Sequence, residues 1–149
     1  MSKTVILGLG NILLKDEGIG CHVIDEILKH NLPPYVEVID GGTSDVWALM
    51  PAGKVRKLII IDAVKANGFP GSVYRLTPED IVSGQTGILS LHQYGIGQLI
   101  AYLNAEESAP EMAVIIGVEP KDVSWGLSPT PEVAARIRDI IDLILNELE

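Results

Sequence analysis

Glu17, Asp62 and His92 are the residues of this chain whose types could do chemistry together. Glu17 closes a loop just before Gly18, Asp62 follows the run Leu58-Ile59-Ile60-Ile61, and His92 opens a segment of helical pattern. Two carboxylates and an imidazole make a mixed oxygen and nitrogen donor set. Such a set suits a borderline divalent cation such as zinc, nickel or iron, and it leaves positions open for water or a guest side chain. Each residue also has a plainer use. Asp16 or Glu17 could cap the helix that follows Gly18, Asp62 could cap a turn, and His92 could sit at the start of its own helix beside Ser90.

The elements that would gather these residues are legible in the hydrophobic pattern. Residues 3–9, 35–39 and 57–61 are short, β-branched and almost continuously apolar, the pattern of parallel strands covered on both faces. Between the first two, Ile19, Val23, Ile24, Ile27 and Leu28 recur at helical spacing up to His30, and Pro33-Pro34 stops the helix. Thr43 caps a short helix through Leu49 and Met50 that leads to the third strand. Residues 71–76 predict a fourth strand. The loop before it is too short for a crossover helix, so the strand runs antiparallel to its predecessor. A helical turn at 78–82, a helix over 92–103 and a last strand over 112–118 follow. Pro131 then opens a terminal helix with an apolar stripe through Val133, Ile137, Ile140, Ile141, Ile144, Leu145 and Leu148. The expectation is a single α/β domain over residues 1–149: a sandwich with an about five-stranded, mostly parallel twisted sheet, one strand antiparallel, and helices on both faces. Ligands of such sheets gather at the carboxyl ends of the strands, where successive crossovers leave in opposite directions, and Glu17 and Asp62 both fall there.

Composition narrows the function. The chain has 149 residues, 47% of them hydrophobic, with 20 acidic against 11 basic residues and a formal charge of −9. That surface repels phosphate backbones and anionic headgroups, which disfavours nucleic acid and membrane partners. No stretch approaches the roughly 20 apolar residues of a membrane span. The lone Cys21 excludes an intramolecular disulfide framework, and the opening apolar run is too short for a signal peptide, so the expected compartment is cytoplasmic. Gly8 and Gly10 follow a strand as in a dinucleotide fingerprint, yet position 13 is Leu where the third glycine belongs. Cys21 reads as a small core residue, His22 and His30 as solvated helix positions, and Trp47 and Trp125 as packing or as the rim of a peptide site.

Taken in order, the segments from Gly8 to Gly20, Asp40-Gly41-Gly42-Thr43, Ile61-Asp62-Ala63, Ser90-Leu91-His92-Gln93, Gly117-Val118-Glu119-Pro120 and Gly126-Leu127-Ser128-Pro129 resemble the hydrogenase maturation endopeptidases. The resemblance spans nearly the whole chain. It implies an endopeptidase that removes a C-terminal extension from the nickel-loaded precursor of a nickel–iron hydrogenase large subunit. The family positions matching Glu17, Asp62 and His92 would recognise the nickel that the precursor carries, so the metal arrives with the substrate. Zinc, cadmium or nickel could occupy the same set in the isolated protein. Glu119 departs from the neutral residue expected there. Under this resemblance the metal gripped by Glu17, Asp62 and His92 polarises the scissile carbonyl or its attacking water while Asp16 or Asp40 removes a proton. A second version treats Glu17 and Asp62 as an aspartyl-protease pair, one neutral and one charged. The alternative from another class is a non-catalytic, nickel-dependent docking or checkpoint module, because the chain has no Ser-His-Asp order, no HExxH helix and no reactive Cys-His pair.

Overall fold

Runs of Val, Ile and Leu with no polar interruption bury both faces of a strand, and three such runs form the centre of this molecule. The computed structural model describes residues 3–44, 55–82, 90–91 and 110–148. Its strands are β1 (Lys3–Leu9), β2 (Val36–Gly42), β3 (Val55–Lys65), β4 (Val73–Leu76), a two-residue β5 (Ser90–Leu91) and β6 (Met112–Val118). The described helices are α1 (Ile19–Ile27), α2 (Pro78–Val82), α3 (Pro131–Ala134) and α4 (Ile137–Glu147). A single 3-10 turn, Lys15–Gly18, precedes α1.

Five strands lie in the order β2-β1-β3-β6-β4, and β5 pairs antiparallel with the far end of β3. The contacts of β1 with β2, β1 with β3 and β3 with β6 are parallel, whereas β4 runs antiparallel to β6. The expected five-stranded α/β sheet with one antiparallel strand is therefore observed. β4 opposes β3 in direction as expected, but β6 lies between them. Among the described residues β2 has β1 as its one neighbour, and Val36 to Ile39 are only half-buried, Val36 and Val38 packing against one core and Ile39 against the other.

Side chains alternate across a strand. Ile6, Ile59, Ile61, Val114, Ile116 and Val118 line one face beneath Val23, Ile24 and Ile27 of α1 and Val133, Ile140 and Ile144 of the C-terminal helices. Val5, Leu7, Leu9, Leu58, Ile60, Val64 and Ile115 form the core of the other face. Each such side chain contributes about 1.5–3 kcal/mol when fully buried. The helices expected at 43–50 and 92–103 lie outside the described residues, apart from Thr43 and Ser44, which are exposed. The terminal helix is interrupted at Ala135 and Arg136, and α1 ends at Ile27, which leaves Leu28 exposed.

Candidate functional site

Strand β3 outruns its neighbour β1, and that mismatch sets where Asp62 stands. Pairing of β1 with β3 ends at Gly8 and Ile61, while β3 continues to Lys65 against β6, with Asp62 opposite Gly117. Asp62 does not terminate its strand, as the sequence suggests. It is the first residue beyond the fork at which β1 turns away, between β1, whose chain goes on to β2 on one flank of the sheet, and β3, whose chain goes on to β4 on the other. It shares the face of Leu58, Ile60 and Val64, is fully buried, and its Oδ1 accepts the Ala63 N–H at 2.8 Å. A buried carboxylate is costly unless charge or donors compensate it, which marks Asp62 as more than a surface acid.

Glycines bring Glu17 to the same fork. A Cβ on Gly20 would stand 2.2 Å from the Leu9 carbonyl oxygen and 2.4 Å from that of Ile61, so only glycine lets the start of α1 rest on both strand ends. Gly10 has a φ of +132°, and its Cβ would come within 1.8 Å of the Glu17 carbonyl oxygen. The 11–18 loop thus folds back on itself, held by an Asn11 Oδ1 that accepts the Leu13 N–H at 3.0 Å and by a Glu17 N–H donated to the Leu14 carbonyl at 3.0 Å. Glu17 is half-buried, three residues before the glycine that touches Ile61.

Asp16 has a different task from the one expected. Its carboxylate is fully buried and accepts the backbone N–H groups of Lys121 (2.9 Å), Asp122 (3.0 Å) and Thr130 (2.7 Å). The Thr130 hydroxyl lies 3.0 and 2.8 Å from its two oxygens. With both oxygens occupied by donors, Asp16 neither caps α1, which has no side-chain cap, nor presents a lone pair to an attacking water. It ties the Glu17 loop to the 121–130 segment. Beside it Leu14 and Gly126 form a parallel bridge, and Lys15 Nζ meets Asp122 Oδ2 at 2.8 Å. The Lys15 ammonium, with help from Ser124, holds the Asp122 carboxyl well below the usual carboxylate range. The sequence pattern alone gives this downstream segment no role.

Asp40 is exposed on β2 opposite Gly8 at the same end of the sheet. Burial, and then the neighbouring Asp40 carboxylate, push the Cys21 thiol up to about 12, so Cys21 is a neutral core thiol and not a nucleophile. His30 is exposed as expected, whereas His22 is half-buried with its Nε2 enclosed and unpartnered. Trp125 is 77% exposed, which rules out ordinary packing for it. Glu119 is buried, and its Oε1 accepts the Ala66 and Gly68 N–H groups and the Tyr74 hydroxyl, fixing the turn between β3 and β4. His92 and Trp47 lie outside the described residues. Leu91, which precedes His92 in sequence, pairs with Val64, two residues beyond Asp62. Among the described residues no three His, Cys, Asp or Glu side chains could hold a metal by themselves. The backbone thus seats the loop of Glu17 on the strand ends of β1 and β3, with Asp62 one residue past that seat and Asp40 on β2 at the same end of the sheet.

A family model described as hydrogenase maturation protease matches residues 21–147. The chain belongs to the hydrogenase maturation protease family. Hydrogenase 2 maturation protease of Escherichia coli (strain K12) is 32% identical over 148 residues, covering 98% of this chain and 90% of that protein. The hydrogenase expression/formation protein HupD of Bradyrhizobium diazoefficiens is 34% identical over 146 residues, 95% of this chain and 76% of the other. The solved structure of the hydrogenase maturating endopeptidase HybD from Escherichia coli matches with a TM-score of 0.85 at 32% identity, over 98% of this chain and 91% of that one. As a hydrogenase maturation protease the protein is a hydrolase of the peptidase class, and the non-catalytic docking module gives way to an enzyme. The family model begins at Cys21, but the two relatives and the solved structure span the loop that carries Asp16 and Glu17 as well.

Proposed function

We propose that this hydrogenase maturation protease removes a C-terminal extension from the nickel-loaded precursor of a nickel–iron hydrogenase large subunit, recognising the substrate's metal through Glu17, Asp62 and His92. The observation that carries the proposal is the fork: β1–β3 pairing ends one residue before the buried Asp62, just where glycines seat the loop of Glu17. β5 supports it, since its pairing with Val64 delivers the chain to the same strand end one residue before His92.

The two carboxylates supply anionic oxygens and His92 a neutral nitrogen, a set that fits a borderline divalent ion and can be completed by ligands from the precursor. The metal, arriving as part of the substrate, would lower the charge cost of attack on a carbonyl held beside it. Asp40, exposed where Asp16 is occupied, is the carboxylate available to take a proton from the attacking water. Burial of Asp62 excludes water from its side of the ion and strengthens the electrostatic grip. Trp125 and Leu127, 77% and 71% exposed, stand beside Ile12 and Leu13 on the two bridged loops and offer an apolar margin for the precursor polypeptide.

The test mixes purified protein with purified nickel-loaded precursor and reads the C-terminal mass. The tail is expected to disappear without any added protein, and to persist with Asp62→Asn or His92→Ala, both still folded. Full processing by both variants would remove the metal-recognition reading.

A further inference from the structure

The tie between Asp16 and Thr130 is more than the packing of two loops needs. A fully buried carboxylate here takes three backbone N–H groups and a hydroxyl, all from residues 121–130, and the residue after it in sequence is Glu17. The Asp16 N–H also donates to the Asp122 carbonyl at 3.1 Å, so its backbone is fixed from the same side. Charge-assisted bonds of this kind are about twice as strong as neutral ones. The peptide that carries Glu17 is therefore pinned on its amino side by the downstream segment and on its carboxyl side by the seat of Gly20 on Leu9 and Ile61.

We propose that Asp16 and Thr130 form a positioning clasp that sets the Glu17 carboxylate for its encounter with the substrate, so that residues 121–130 control the site without touching the reacting atoms. This rests on the substrate reading above. Thr130 is the informative partner, because its hydroxyl can be removed while its backbone N–H stays. Thr130→Val deletes the hydroxyl at nearly constant volume and Thr130→Ser keeps it. Glu147→Gln serves as a control for lost stability: Glu147 pairs with Lys57 and Arg75 toward the opposite end of the sheet and takes no part in the site.

The experiment measures precursor affinity by interferometry, cleavage by mass, and amide exchange at Glu17. Thr130→Val is expected to weaken affinity and kcat/KM by about 10-fold, the scale of one lost hydrogen bond to a buried carboxylate. Thr130→Ser should stay within about threefold of wild type, and Glu147→Gln should bind normally below its melting range. In a Glu17→Gln background Thr130→Val should add no further loss of affinity, because a clasp acting through Glu17 has nothing left to position. Equal losses with and without Glu17, or no more loss than in Glu147→Gln, would overturn the clasp and leave the substrate reading standing. If the wild-type protein neither binds nor cuts the precursor, the substrate reading fails. The clasp is then decided by exchange alone: faster exchange at Glu17 in Thr130→Val than in Glu147→Gln supports it, and equal rates overturn it.

Discussion

Asp62 illustrates how one residue can cost stability and still belong where it is. Its side chain has no exposed area, and taking a carboxylate out of water costs several kcal/mol before partners repay it. Asp62→Asn keeps the size and the oxygen that accepts the Ala63 N–H but removes the charge. On the proposed reading processing should fall at least about 100-fold while the melting temperature stays level or rises by a few degrees, the trade expected of a charge kept for function. A large drop in melting temperature with activity retained would make Asp62 a structural group instead. Cys21 makes a second residue-scale case. Its thiol is raised to about 12, so the folded state holds the proton more tightly than the unfolded chain, whose thiol ionises near the ordinary 9.0. Its contribution to stability is therefore complete below pH 9 and fades as pH rises toward 12. Native protein at pH 8 should react with an aromatic disulfide reagent far more slowly than protein unfolded in guanidinium, and equal rates would refute the burial argument.

At the scale of elements, close approach decides what can be changed. Alanine normally favours a helix over glycine by about 1 kcal/mol, which would make Gly20→Ala look stabilising. Here the added Cβ would meet two backbone carbonyl oxygens at 2.2 and 2.4 Å, and backbone cannot step aside. Overpacking of this kind costs about 1–3 kcal/mol, so the variant should lose stability in urea and lose activity more than stability, as the Glu17 loop lifts from the fork. A fully active Gly20→Ala protein would contradict the seating of α1. The sequence pattern anticipates these elements unevenly, for physical reasons. β1 and β6 are legible to the residue because central strands buried on both faces must be continuously apolar. The far end of β3 is not, because Asp62 interrupts the apolar run where the strand in fact continues. The placement of the Glu17 loop at the end of β3 follows from the switch-point rule, a statement about topology that local sequence can carry. The clasp of Asp16 is invisible to such reading: the residues that hold it lie 105 to 114 positions along the chain, and no local period joins them. The one signal is the polar, proline-flanked Thr130 between Pro129 and Pro131, a segment too stiff to be an idle loop.

For the whole molecule the governing quantity is charge. Twenty acidic residues against eleven basic leave −9, while the described ion pairs, such as Lys3 with Glu37 and Lys29 with Glu26, are mostly exposed and contribute at most about 1 kcal/mol each. The excess negative field is thus not spent on stability. A field of this sign repels most of the acidic macromolecules the protein meets and speeds encounter with any partner that presents a basic face. On the proposed substrate reading the precursor should therefore associate through complementary potentials, with the fork forming the short-range contact after the long-range field has oriented the pair. Raising ionic strength from about 0.05 to 0.5 M shrinks the screening length severalfold, to only a few ångströms. The association rate with nickel-loaded precursor should fall by about tenfold or more over that range, while the dissociation rate, set by contacts at the fork, changes little. An association rate indifferent to salt would mean that the acidic surface plays no part in choosing the partner, and that selection rests on the fork alone.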